Sequence, residues 1–197
     1  MGAHADDIEI GAGGTILRLL HEHPGASVHW VVFSARGPRQ IEAERSAALF
    51  LEQARARTVV TLDFRDGFFP YHGEAIKEAF EALKTEVDPD LILTHASDDA
   101  HQDHRLINSL TWNTFRRHSI LEFEIPKYDG DLGRPNVFVT LAPETCQRKI
   151  DHLMAAFSTQ AGKHWFTDET FRSILRLRGI ECGSDYAEAF FGRKLLL

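Results

Sequence analysis

SVHWVVFSARGPRQIEAERSAALFLEQARARTVVTLDF, residues 27–64, reads as strand, helix, strand. SVHWVVFSA (27–35) is a near-continuous apolar run rich in β-branched residues, the pattern of a strand buried on both faces. IEAERSAALFLEQA (41–54) carries apolar residues at helical spacing. TVVTLDF (58–64) returns to a strand. This order calls for parallel pairing through a right-handed crossover. The alternation continues outward. GEAIKEAFEALKTEV (73–87) is a helix with Ile76, Phe80 and Leu83 on one face, and DLILTHA (90–96) is a strand. QDHRLINSLTWNTFRR (102–117) is a helix, ILEFEI (120–125) and NVFVTLA (136–142) are strands, and Pro143 suits the first turn of a helix over 143–157. The expected fold is α/β, a Rossmann-like three-layer α/β/α arrangement with a mostly parallel twisted sheet, as one domain over 1–197. Only Met1, Gly2 and Ala3 precede His4, so the first strand is expected to be truncated.

Bulk properties exclude several classes. The 197 residues suffice for one core. The net charge of −7 lacks the basic face that general nucleic-acid binding requires. Cys146 and Cys182 lie far apart and form no C-x-x-C, which fits a reducing cytoplasm and disfavours a disulfide framework. No apolar run reaches the roughly 18 residues of a membrane span, and no signal peptide is visible.

Two acid–imidazole clusters stand out. The first is His4, Asp6 and Asp7; the second, THASDDAHQDHR (94–105), holds His95, Asp98, Asp99, His101, Asp103 and His104. Each follows a strand. In an open parallel sheet the loops at the strands' carboxyl ends share one edge, so segments about 90 residues apart can converge there. A lone Asp in such a loop usually caps a helix or turn, and a lone His is usually structural or exposed. Several together, in convergent loops, point to a metal centre. His4 and Asp7 are three apart and a turn can aim both inward, with His104 as a third ligand. Histidine and carboxylate ligands suit Zn²⁺, one per chain, and Fe²⁺ is the alternative ion. Asp6 points away from Asp7 and is free to act as a base. GAGGT (11–15) lacks the third glycine of a dinucleotide loop and is expected to form a turn close to the site before a helix, its N–H groups free for a polar substrate.

AHADDIEIGAGGT resembles the AHPDD-x-x-x-G-x-GGT signature of the PIG-L/LmbE-like deacetylases, and HASDDAHQDH is similar to that family's second motif, which ends H-x-D-H. Further similarity runs through GPRQIEAERSAA, FRDGFFP, SILEFEIPKYDGD, VFVTLAPETCQRKI and RLRGIECGSDYAEAFF, nearly the whole chain. The closest similarity is to bacterial members. The resemblance implies a catalytic Zn²⁺ and hydrolysis of an N-acetyl group on a small amino-sugar or glycoconjugate substrate, in a protein with the option of a homo-oligomer. It implies His4, Asp7 and His104 as metal ligands and Asp6 as general base. It implies His101 as oxyanion stabiliser and acid, oriented by Asp103, and places Arg39 and Asp66 among substrate contacts. Ala5 stands where the family usually has Pro.

Remaining features are assigned by context. PKYDGDLGRP (126–135) is a polar loop, read either as a simple loop or as a substrate lip formed by Lys127, Tyr128 or Asp129. Trp112 and Phe115 are expected in the core, His21, His23 and His29 in structural or exposed positions, and Glu9 on the side of a helix or at the surface. The rival readings are a metallo-β-lactamase-type hydrolase, whose first motif His is here Asp99, and a catalytically silent metal- or nucleotide-binding Rossmann-like protein. The latter leaves the second His/Asp cluster unexplained.

Overall fold

Side chains of β2 (Ser27–Ser34) alternate between two apolar cores. Trp30 and Val32 enter one; Val31 and Phe33 enter the other. A period of two with both faces buried is what a central parallel strand requires. The computed structural model describes residues 1–194. The first core receives α1 (Asp7–Glu22), α2 (Pro38–Phe50), α5 (Pro143–Ala156) and α6 (Asp168–Cys182). The second receives α3 (Gly73–Glu86) and α4 (Gln102–Thr114). Helices therefore cover both faces, giving the expected three layers.

The strands form two sheets that meet at a seam. β1 (Gly2–His4), β2 and β3 (Ala56–Thr61) are parallel in that order. The other sheet runs β4 (Leu91–His95), β5 (Ser119–Phe123), β7 (Tyr186–Phe191), β6 (Val137–Leu141). β4 and β5 are parallel, while β7 is antiparallel to both its neighbours. The sheet is thus mostly parallel, with an antiparallel far edge. β1 lies beside β4: the Met1 amine donates to the Leu93 carbonyl at 2.8 Å and the Ala3 N–H to His95 Nε2 at 2.9 Å. From β1 the chain winds one way through β2 and β3, then returns through α3 to β4 on the other side. The loops after β1 and β4 therefore diverge across a crevice, the topological switch point where ligands bind in such sheets. Toward the opposite edge β2 and β4 flank a cavity of about 820 Å³, lined by Ile8, Ile16, Leu20, Val28, Leu83 and Leu91.

Three expectations change. The GAGGT glycines do not form a turn before a helix, because α1 already begins at Asp7 and they lie buried inside it. Their smallness lets other elements close on α1. A Cβ on Gly11 would overlap the Phe123 ring, one on Gly13 would lie 2.6 Å from Phe50, and one on Gly14 would strike Leu141. Nor are their N–H groups all free for a substrate, since Glu188 accepts from Gly14 N and Thr15 N at 2.8 and 2.6 Å. Glu9 is not a surface acid; it is fully buried, and burial pushes its carboxyl well above the usual range, toward the neutral form. Finally, α6 and β7 extend the pattern past α5. The side-chain oxygen of Thr167 accepts the Thr170 N–H at the start of α6, and Gly183, at φ 75°, ends it in the left-handed region that favours glycine.

Candidate metal centre

His4 ends β1 and Asp7 opens α1 three residues later, so the turn between strand and helix folds them together. The His4 N–H donates to Asp7 Oδ2 at 2.6 Å. His104 lies in the first turn of α4, across the seam. Its Nε2 is 3.1 Å from His4 Nδ1 and 3.4 Å from Asp7 Oδ2, and His4 Nδ1 is 3.3 Å from Asp7 Oδ2. Zinc bonds of 2.0–2.2 Å in a tetrahedron require ligand atoms about 3.3–3.5 Å apart. The three spacings match or closely approach that edge, so these residues fit a divalent ion. All three are buried.

The surroundings favour positive charge at this point. Burial opposes a charge on His4, but Asp7 and hydrogen bonds to Asp103 and Asp66 outweigh it and push the imidazole well above its usual pKa. Desolvation likewise opposes the Asp7 anion, and His104, His95 and His4 outweigh it and hold the carboxyl well below its usual range. His4 Nε2 faces Asp66 Oδ1 at 3.0 Å and Asp103 Oδ2 at 3.3 Å. A histidine that ligates through one nitrogen commonly donates to a carboxylate through the other. The structure therefore sets Asp66 against His4, and that hydrogen bond lowers the Asp66 pKa to about 2.

Asp6 is buried beside Asp7, and its Oδ1 accepts from Arg39 Nη2 at 2.8 Å. Arg39 is thus brought to the expected base. His101 caps α4, its Nδ1 accepting the Asp103 N–H at 3.2 Å. Its ring meets His4 edge-on at 4.9 Å and stacks with His104 at 4.7 Å. Burial, with the neighbouring His104 and His4 charges, lowers its pKa. The Asp103 carboxylate does not hydrogen-bond the His101 ring. It accepts from Gly67 N at 2.6 Å and Phe69 N at 3.1 Å, and so pins the loop after β3 under His4.

Two participants had no assigned role in the sequence. Asp99 Oδ2 lies 2.8 Å from His104 Nδ1, which leaves Nε2 for the ion, while Asp99 Oδ1 accepts the His101 N–H at 2.8 Å. Lys127, one of the candidates for a substrate lip, is largely buried, 3.1 Å from Asp99 Oδ1 and bonded to Asp131. A cavity of about 320 Å³ adjoins this pair, lined among others by Asp98, Asp99, Lys127, Arg134 and Arg193. His95, the last residue of β4, stacks on His104 with ring centroids 3.9 Å apart. Asp99 was visible within the second cluster, but only the loop conformation reveals its partner. His95 reads as a core residue of a buried strand.

An open α/β sheet with a histidine–aspartate cluster at its switch point defines a protein able to hold a divalent ion where substrates bind. The chain belongs to the PIG-L family, whose model, described as GlcNAc-PI de-N-acetylase, matches residues 1–115. No curated protein matches the sequence. Among solved structures, N,N'-diacetylchitobiose deacetylase from Pyrococcus horikoshii is 21% identical, covering 97% of this chain and 81% of its own, with a TM-score of 0.68. GalB, the 4-carboxy-2-hydroxymuconate hydratase of Pseudomonas putida KT2440, is 20% identical over 100% and 95%, with a TM-score of 0.77. The zinc-inhibited form of teicoplanin deacetylase is 14% identical over 97% and 95%, with a TM-score of 0.73. These likenesses establish the shared α/β/α fold.

Proposed function

We propose that the protein is a metal-dependent N-deacetylase that removes an acetyl group from the amine of an amino-sugar substrate. The observation that carries this reading is the near-tetrahedral spacing of His4 Nδ1, Asp7 Oδ2 and His104 Nε2 beside the Asp6 carboxylate. Family membership and the two deacetylases among the structural relatives support it. Zinc is the favoured ion, with iron(II) compatible with the same donors. Bound there, such an ion polarises the acyl carbonyl and makes water acidic enough to be deprotonated near neutral pH.

The chain's own residues divide the remaining work. Asp6 takes the proton from the attacking water as general base. Arg39 holds Oδ1 of that carboxylate and steadies it. His101, at the rim of the cluster, donates to the developing oxyanion and returns a proton to the leaving amine. Removing one such donor costs about 10²–10³ in rate. Asp103 and Asp66 hold His4 from its far side. The sugar occupies the crevice between the loops after β1, β3 and β4.

Two variants test the division of labour. Asp6→Ala should retain zinc by elemental analysis and lose most amine release from N-acetylglucosamine derivatives. His104→Ala should lose zinc and activity together. Full zinc in His104→Ala would overturn the ligand set. The hydratase among the relatives makes the reaction worth testing directly, and release of a free amine separates amide hydrolysis from hydration.

A further inference from the structure

The metal donors come from two sheets. His4 and Asp7 belong to the β1 side of the seam and His104 to the β4 side, so their spacing depends on how the seam is held. Among the described residues β1 and β4 share no strand ladder. They are joined by the Met1 amine on Leu93 O and by the Ala3 N–H on His95 Nε2. The second tie lies next to the cluster. In an ordinary parallel pair Ala3 N–H would meet a backbone carbonyl; here a side chain takes it.

We propose that His95 is a positioning residue that fixes the distance between the two halves of the metal centre, deepening the deacetylase reading on which it rests. The His95 ring is fully buried. Its Nε2 accepts from Ala3, which requires that nitrogen to be unprotonated. Packing holds the ring on two sides. One face lies on His104 at 3.9 Å, nearly parallel at 19°, and Phe123 meets the ring edge-on at 4.8 Å. The backbone beneath is held by Asn108, whose Nδ2 donates to His95 O at 2.6 Å. Asn108 sits on α4 one turn beyond His104, so strand, helix and both rings form one rigid block. The Ala3 hydrogen bond ties that block to β1 one residue before His4. The same Nε2 is 3.2 Å from Asp7 Oδ2, so a shift of His95 also disturbs the carboxylate donor.

The test compares His95→Gln with His95→Met. Gln places an acceptor oxygen near the position of Nε2, whereas Met fills similar space without a strong acceptor. Zinc affinity is measured by competition with a chelating dye, alongside kcat and KM for amine release. Partners that orient metal ligands typically contribute about 10–100-fold to affinity. The expected result is zinc binding about 10-fold or more weaker in the Met variant, with the Gln variant close to wild type. Equal affinities in Met and wild type, or a Gln variant as weak as Met, would overturn the inference. A measurement on the wild type stands independently of either variant's folding. Through-hydrogen-bond ¹⁵N–¹⁵N coupling between the Ala3 amide and His95 Nε2 is expected, and its absence contradicts the tie. A wild-type protein that binds zinc but releases no amine would sink the deacetylase reading and leave this inference standing.

Discussion

Asp99 makes two hydrogen bonds within the second cluster, a buried one to His104 Nδ1 and a part-buried one from the His101 N–H. Desolvation opposes its charge, but the bond to His104 outweighs this and holds the carboxyl well below its usual range. The anion fixes His104 Nδ1 and so points Nε2 at His4 and Asp7. Asp99→Asn should weaken zinc binding by about 10–100-fold while keeping the fold, measured by dye competition. Another carboxylate, away from this cluster, also makes stability depend on pH. Glu42 accepts from Ser158 Oγ, Thr159 N and Thr159 Oγ1 at 2.8, 2.8 and 2.6 Å. Desolvation raises its pKa, yet the hydrogen bonds from Thr159 and Ser158 win and lower it below the usual 4.5. A carboxyl with a lower pKa folded than unfolded stabilises the protein above its unfolded pKa. That contribution is lost as pH falls through the folded value. Chemical unfolding measured from pH 6 down to 3 should therefore show a shallower loss of stability in Glu42→Gln than in wild type. The proposed metal donors were legible as residue types because they lie within four positions of one another or in H-x-D-H. Their partners were not, since Asp66, Asp99 and Asp103 find theirs through loop conformation rather than spacing.

α1 is the element where sequence reading and structure part. Two acids and then three glycines among its first eight residues read equally well as a loop before a helix. Three glycines cost a helix roughly 1 kcal/mol each relative to alanine. Contacts from Phe123, Phe50 and Leu141 offset this by closing on the helix where no Cβ intervenes. Local propensity contains none of that, so the helix start was misplaced although the strands and helices from β2 to α5 lie within four residues of their expected ends. Gly11→Ala should destabilise by about 1–3 kcal/mol through overpacking, read from urea unfolding. α1 is also pinned by a buried ion pair: Lys149 Nζ donates to Glu188 Oε1 and to Ile10 O, each at 2.6 Å. Glu188→Ala leaves the Lys149 ammonium without its partner and two α1 amides without theirs, and should cost about 3–5 kcal/mol.

Across the whole molecule, the centre sits on the seam between a three-stranded and a four-stranded sheet. An ion bound by His4, Asp7 and His104 joins the two through short, strong contacts. Binding to the folded state alone stabilises by about 2.7 kcal/mol at a hundredfold excess over Kd. Zinc should raise the unfolding temperature of wild type and leave that of His104→Ala unchanged. The α/β architecture was readable because alternating strand and helix periods admit few topologies. The antiparallel edge was not, because β7 and α6 mix buried acids and bases such as Glu188 and Arg178 with apolar residues and blur the period. Among the described residues no helix is long and apolar enough to cross a membrane.

The deacetylase proposal makes this seam a metal-dependent site of amide hydrolysis. Amine release from N-acetylglucosamine derivatives, followed through chelation and zinc add-back, tests it most directly. The zinc-loaded protein is expected to release amine, to lose that activity on chelation and to recover it on adding zinc, with no recovery in Asp6→Ala. Release that persists undiminished in the chelated protein, or that is as fast in Asp6→Ala as in wild type, would contradict the proposal.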